Sequence, residues 1–196
     1  MLKRCLCLVL VSFCLSSFAH AAVTDDVKKT VDEVVRIVTD KGMKKDDNRR
    51  RHALKKTIST VFNYSEMAKR SLGKHWAGRS SAEQKQFSDL FASLLENSYA
   101  SKIESYNNEK IVYLKETVDG DHAEVKSKVI TAKRDEYTLD YRLTKLNGKW
   151  SVYDVVIEGV SLVSNYRTQF NKIITSNGYP ELVKKLQAKN SELKAP

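Results

Sequence analysis

Few residues of this chain have a type and spacing that could do chemistry. His52, His75 and His122 stand far apart and form no H-E-x-x-H or H-x-H pattern, so no metal site is expected. Gly159-Val160-Ser161 lacks the closing glycine of a nucleophile elbow, and Ser161 reads better as a helix cap. No glycine-rich loop is present to cradle phosphate. One arrangement is compatible with catalysis. Asp154 interrupts the apolar run Trp150 to Ile157, and a buried carboxylate with Tyr141 or Tyr153 as proton donor is the equipment of an isomerase built on a curved sheet. Asp154 is better read as a residue of the polar face, or as the partner of a nearby cation. No catalytic residue and no cofactor are expected, and the chain reads as a binding protein rather than an enzyme.

The apolar residues are more informative. Phe87, Leu90, Phe91, Leu94, Leu95, Tyr99, Ile103 and Tyr106 recur at spacings of three and four after a capping-box pattern, Ser80 with Glu83. They predict a long helix with a broad aromatic stripe that must face something large and apolar. Before it, Thr24 is placed to cap a helix carrying Val27, Val31, Val34, Val35 and Val38, ended by Gly42. A second helix carries Leu54, Ile58, Val61 and Phe62, and a short third runs from about Ser65 to Leu72.

The centre predicts four antiparallel strands, 111–118, 122–131, 136–146 and 149–158. Asp119-Gly120 and Asn147-Gly148 supply hairpin turns. Tyr137, Leu139, Tyr141 and Leu143 alternate with polar residues, as do Ala123, Val125 and Val129, so the sheet has one apolar and one wet face. Ser161 then opens a helix through Leu162, Tyr166, Phe170 and Ile174 that Asn177-Gly178 closes. A last helix is predicted over 181–188, with a frayed tail beyond it. The fold class is α+β: a curved antiparallel sheet of about four strands covered by helices from both chain ends. Helices across the concave side of such a sheet leave a cone, either filled by side chains or open as a pocket.

Composition narrows the setting. Lys3 and Arg4, the apolar stretch Cys5–Phe18 and Ala19-His20-Ala21 read together as a secretory signal peptide over residues 1–21, leaving one domain over 22–196. The apolar stretch is short for a membrane span, and Phe13 before Cys14 argues against a lipoprotein. Cys5, Cys7 and Cys14 all leave with the signal, so the mature chain has no disulfide and no thiol ligand. The signal holds two of the 34 basic residues and none of the 24 acidic ones, so the mature net charge is +8. A basic exported protein suits anionic membrane surfaces or acidic partners, and nucleic acid is not expected as a ligand.

Two segments carry a family resemblance. One is Leu72-Gly73, Trp76, Glu83-Gln84, Phe87, Phe91, Leu94 and Tyr99. The other is Gly148-Lys149-Trp150, Tyr153-Asp154-Val155 and the run Glu158 to Phe170, which reads E-G-V-S-L-V-S-N-Y-R-T-Q-F. The chain resembles the MlaC, or toluene-tolerance, family over nearly all of its mature length. The resemblance implies an NTF2-like cone, a periplasmic location in a Gram-negative bacterium, and a phospholipid held by its tails with the head group outside. It implies a monomer that shuttles lipid between an outer-membrane lipoprotein–porin complex and an inner-membrane ABC transporter with an MCE-domain subunit, maintaining lipid asymmetry. A related branch is associated with hopanoids, which are the alternative cargo.

Simple energetics agree with that role. Each buried methylene is worth roughly 0.8 kcal/mol, and a two-tailed lipid has on the order of 30, so unaided escape from a bilayer has a barrier of roughly 20 kcal/mol or more. A carrier must replace the bilayer with apolar walls, here expected around a cavity of about 1,000 Å³. The expected lining is Phe87, Phe91, Leu94, Tyr99, Val129, Leu139, Tyr141, Val155, Ile157, Val160 and Tyr166. Lys74, Arg79, Arg142 and Arg167 are expected near the mouth or at docking surfaces. The strands are expected to flex against the long helix when lipid leaves.

Overall fold

The computed structural model describes residues 23–194; the signal peptide expected over residues 1–21 lies outside the described residues. The helices are α1 (Val23–Thr39), α2 (Asp47–Ser59), α3 (Tyr64–Leu72), α4 (Ser81–Glu104), α5 (Leu162–Asn177) and α6 (Tyr179–Lys194). Between α4 and α5 the chain forms strands β1 (Lys110–Asp119), β2 (His122–Ile130), β3 (Glu136–Leu146), β4 (Lys149–Ile157) and β5 (Val160–Ser161). They make one curved, open antiparallel sheet in chain order β1-β2-β3-β4-β5.

Turn chemistry explains much of the sheet. The β3–β4 loop is Asn147-Gly148, with φ of 51° and 81°; two successive positive φ angles twist the hairpin in the sense the strands require. Two bulges then bend it. One lies in β1 between Tyr113 and Lys115, and the other lies opposite Arg142/Leu143, where Tyr153 is the extra residue of β4. The second bulge lets Val152 and Val155 both face the inner side although they are three apart. The fifth strand was not expected. Its two residues pair with Val156 and Ile157 across a turn at Glu158 and Gly159, too short a ladder to show any periodicity.

The helices form two groups. Met67, Leu72, Phe87, Phe91, Leu94, Phe170, Leu182 and Leu186 bury themselves among α3, α4, α5 and α6. Aromatic rings dominate this core, with Phe170 edge-on to Phe87 and Phe91 at 5.6 and 5.5 Å between centroids. The capping box at Ser80 and Glu83 starts α4, and Ser161 accepts from the Ser164 N–H to start α5. Gly73, at φ 56°, sits with the Arg167 side chain 3.2 Å from where a Cβ would be, so both backbone and neighbour require glycine.

Three helix ends depart from expectation. Thr24 lies inside the first turn of α1, and its N–H and hydroxyl both donate to Glu116 of β1, at 2.7 and 2.6 Å. α1 stops at Thr39, and Gly42 leads a single 3-10 turn, Met43–Lys45. α6 continues through Lys194 instead of fraying after Ala188, because Asn190 donates to the Leu90 carbonyl of α4 at 2.9 Å and Leu193 packs on the helical core.

The second group is the pair α1–α2, which spans the inner face of the sheet. Val23 and Val27 press on Val125, Tyr141, Leu143 and Val152. At the other end Ile37 and Val38 pack with Leu54, against Ile103 and Tyr106. The segment after α2 returns to the sheet. Asn63 N–H donates to the Val152 carbonyl, and Val152 N–H to the Val61 carbonyl, both at 2.8 Å. This bridge covers an edge of β4 that β5 does not reach.

Candidate functional site

Between its two anchored ends, α1 crosses open space. Val31, Val34 and Val35 face a cavity of about 530 Å³. The opposite wall is the inner face of the sheet, with Ile111, Val129, Leu139, Tyr141, Val155 and Ile157. Leu54 and Ile58 of α2 and Tyr99, Ala100 and Ile103 of α4 form the sides, and Phe62, Met67, Leu95 and Leu162 complete the lining. The hollow follows from the packing. Valine is a mediocre helix former, so α1 is held by its contacts, and those contacts are concentrated at its two ends.

Charged groups line the cavity where α2 and the end of α4 meet solvent: Arg51, His52, Lys55, Glu96, Lys102 and Glu109. Lys55 pairs with Glu96 at 2.9 Å, and Arg51 with Glu104 at 3.2 Å. Arg50 stands 3.5 Å from the same Glu104, and both of their side chains are largely buried. These ion pairs join α2 to α4 across a gap that their backbones do not close. Lys102 has no acidic partner among the described residues and lies 5.8 Å from the Tyr99 ring centre.

The tyrosines of the cavity wall are not acids here. Burial raises the Tyr141 phenol well above its ordinary value, with smaller contributions from Tyr113 and Tyr137. Burial also raises Tyr64, helped by the charge of Glu96 beside it. Tyr113, beside the wall, is pushed up to about 12 by burial and by Asp32. Each stays neutral and acts as an apolar ring with a polar tip. Among the described residues, no three His, Cys, Asp or Glu side chains gather as a metal site.

Tyr99, Val129, Leu139, Tyr141, Val155 and Ile157 of the expected set line this cavity. Phe87, Phe91, Leu94 and Tyr166 do not; they pack in the helical core. The reason is that α4 serves two neighbours: its first half faces α5 and α6, and only its second half reaches the cavity. Val160 faces outward at 59% exposure, because the two-residue strand turns it off the edge of the sheet. Sequence reasoning missed Val31, Val34, Val35, Leu54, Ile58, Ile103 and Ile111. The helical spacing of all but Ile111, which is on β1, was visible, but spacing alone does not separate a residue facing a partner from one facing a void.

Asp154 is not at the cavity. The bulge turns it to the outer face of β4, where it is 3% exposed. It accepts from the Ser161 hydroxyl at 2.6 Å, from Val163 N–H at 3.0 Å and from Arg142 at 3.3 Å. It thus closes the start of α5 against the sheet. Lys74, Arg79, Arg142 and Arg167 are likewise away from the cavity lining; Arg79 pairs with Glu83 at 3.4 Å and lies over the Tyr179 ring.

The fold has known counterparts. A phospholipid-binding protein from Ralstonia solanacearum, solved in complex with a phospholipid, superposes with a TM-score of 0.80 at 27% identity, over 89% of this chain and all of the other. The intermembrane phospholipid transport system binding protein MlaC of Haemophilus influenzae is 26% identical over 155 residues, 76% of this chain and 72% of its own. A toluene tolerance protein of Pseudomonas putida is 26% identical over 181 residues, 90% of this chain and 84% of its own. The MlaC protein family matches residues 28–188, and the chain belongs to that family.

Proposed function

We propose that this chain is a periplasmic lipid carrier that takes phospholipid tails into the cavity and leaves the head group at the charged rim. The observation that carries this reading is the cavity itself: walls of valine, leucine, isoleucine and aromatic rings, with charge confined to one side. Such a wall, in which apolar groups predominate over a few hydroxyls and amides, substitutes for bilayer interior. The lipid contacts are Tyr99, Val129, Leu139, Tyr141, Val155 and Ile157 from the sheet and α4, with Val31, Val34 and Ile58 opposite. The relatives' names and the neighbour's bound phospholipid support the choice of cargo. The carrier runs between an outer-membrane lipoprotein–porin complex and an inner-membrane ABC transporter with an MCE-domain subunit.

The cavity, at about 530 Å³, is smaller than the space expected for two tails. Loading therefore requires the walls to part. The long helix and the sheet are each well braced, whereas α2 meets α4 largely through side chains. Widening is easiest there.

The test is mass spectrometry of an organic extract from the protein purified without detergent. Phospholipid in near-stoichiometric amount is expected. Recovery of a hopanoid in its place would reassign the cargo, and an extract free of lipid would overturn the proposal.

A further inference from the structure

The positive charge of this protein is concentrated in one short segment. Residues 41–56 hold eight lysines and arginines against two aspartates, a net of six, while the whole mature chain carries eight. Lys41, Lys44, Lys45, Arg49, Arg51, Lys55 and Lys56 are all exposed; Arg51 and Lys55 also pair with Glu104 and Glu96 of α4, which leaves Lys41, Lys44, Lys45, Arg49 and Lys56 as the outward charge. Both aspartates are engaged locally: Asp46 accepts from Arg49 N–H at 2.9 Å, and Asp47 pairs with the half-buried Arg50 at 3.0 Å. The segment is the α1–α2 turn and α2 itself, and Arg51, His52 and Lys55 of the same helix line the cavity. This cationic segment and the cavity therefore share one helix.

We propose that this segment docks the protein, cavity rim first, onto the head groups of an anionic phospholipid bilayer. The character of the patch selects that occupant over an acidic protein. None of the exposed large hydrophobic residues (Leu114, Val118, Tyr137, Leu146, Val160) lies in 41–56, so the patch lacks the apolar anchor on which a specific protein interface depends. Its exposed lysines are flexible point charges, poor at specific interfaces but suited to a fluid surface of phosphates. Clusters of four to eight basic residues are the usual size of such electrostatic contacts. The attraction is reversible, which a shuttle requires, and it turns the parting line between α2 and α4 toward the source of lipid.

The experiment is co-sedimentation of the full mature protein with vesicles of phosphatidylcholine alone or of phosphatidylcholine mixed with phosphatidylglycerol. The native protein is expected to sediment with the mixed vesicles only, and to be released in ~1 M salt, where the screening length falls to about 3 Å. The variant K44E/K45E/R49E, whose side chains lie outside the cavity lining, should lose at least about tenfold in vesicle partition, with K44Q/K45Q/R49Q between. Undiminished sedimentation of the reversed variant, equal binding to both vesicles, or binding to neither overturns the proposal; the last leaves an acidic protein face as the occupant. Bound lipid is quantified in the same samples. A native protein that carries lipid but ignores anionic vesicles refutes docking and leaves carriage intact.

Discussion

Single residues divide into those that build the wall and those that hold the frame. Leu139 faces the cavity from the middle of the sheet, whereas Phe91 is fully buried among helices. Opposite outcomes are expected for changing them. Leu139→Trp fills the hollow: lipid recovered in the extract should fall several-fold, while the urea midpoint moves little. Phe91→Ala leaves the wall untouched but opens a hole in the aromatic core, costing about 3–5 kcal/mol in urea unfolding with lipid per folded molecule unchanged. If both variants lost lipid and stability together, the separation of wall from frame would be mistaken. Asp154 belongs to the frame. The sequence allowed a base there but favoured the polar face or a cation partner, and Asp154 does pair with Arg142 on the outer face; the bulge at Tyr153 that puts it there has no local pattern to announce it.

Elements carry the moving parts. Glu116 clamps the first turn of α1 through Thr24. Its carboxyl, though pushed upward by partial burial, is held on balance below its ordinary 4.5 by the hydrogen bonds from Thr24. A depressed carboxyl stabilises the native state above that ordinary value and loses its effect as acid carries the pH below it. Protection of the first turns of α1, measured as amide exchange relative to the intrinsic rate at each pH, is therefore expected to fall on passing from pH 6 toward about pH 4, and Glu116→Gln should show the low protection at both. At the other side of the cavity, Glu96 and Glu104 hold α2. The double variant Glu96→Gln, Glu104→Gln removes both carboxylates and leaves Arg50 with Asp47 of its own helix as its counter-charge. Faster exchange across 47–59 and quicker lipid transfer to acceptor vesicles are expected, with α4 itself unchanged. Transfer as slow as that of the native protein would show that the walls part elsewhere.

At the scale of the whole molecule, the elements and their order were legible because each has local punctuation: the capping box before α4, Asn147-Gly148 in the sheet, Ser161 before α5 and Gly178 after it. The resemblance rested on the same loops, notably Glu158 to Phe170. The cavity was legible only in part. A void is a relation between elements far apart in the chain, and the stripe of α4 looks the same whether it meets Phe170 or empty space. A carrier that widens should also be larger when loaded. The radius of gyration from solution scattering is expected to rise between delipidated and lipid-saturated protein, and an equal radius would mean that the present volume suffices.

The bridge from Asn63 and Val61 to Val152 has a consequence beyond covering a strand edge. It ties the exit of α2 to the very strand whose reverse side seats Asp154 and the start of α5. A guest that displaces α2 is therefore expected to tug on β4 and through it on the start of α5. Occupancy is then expected to register there, as a difference between full and empty protein in amide exchange at the start of α5.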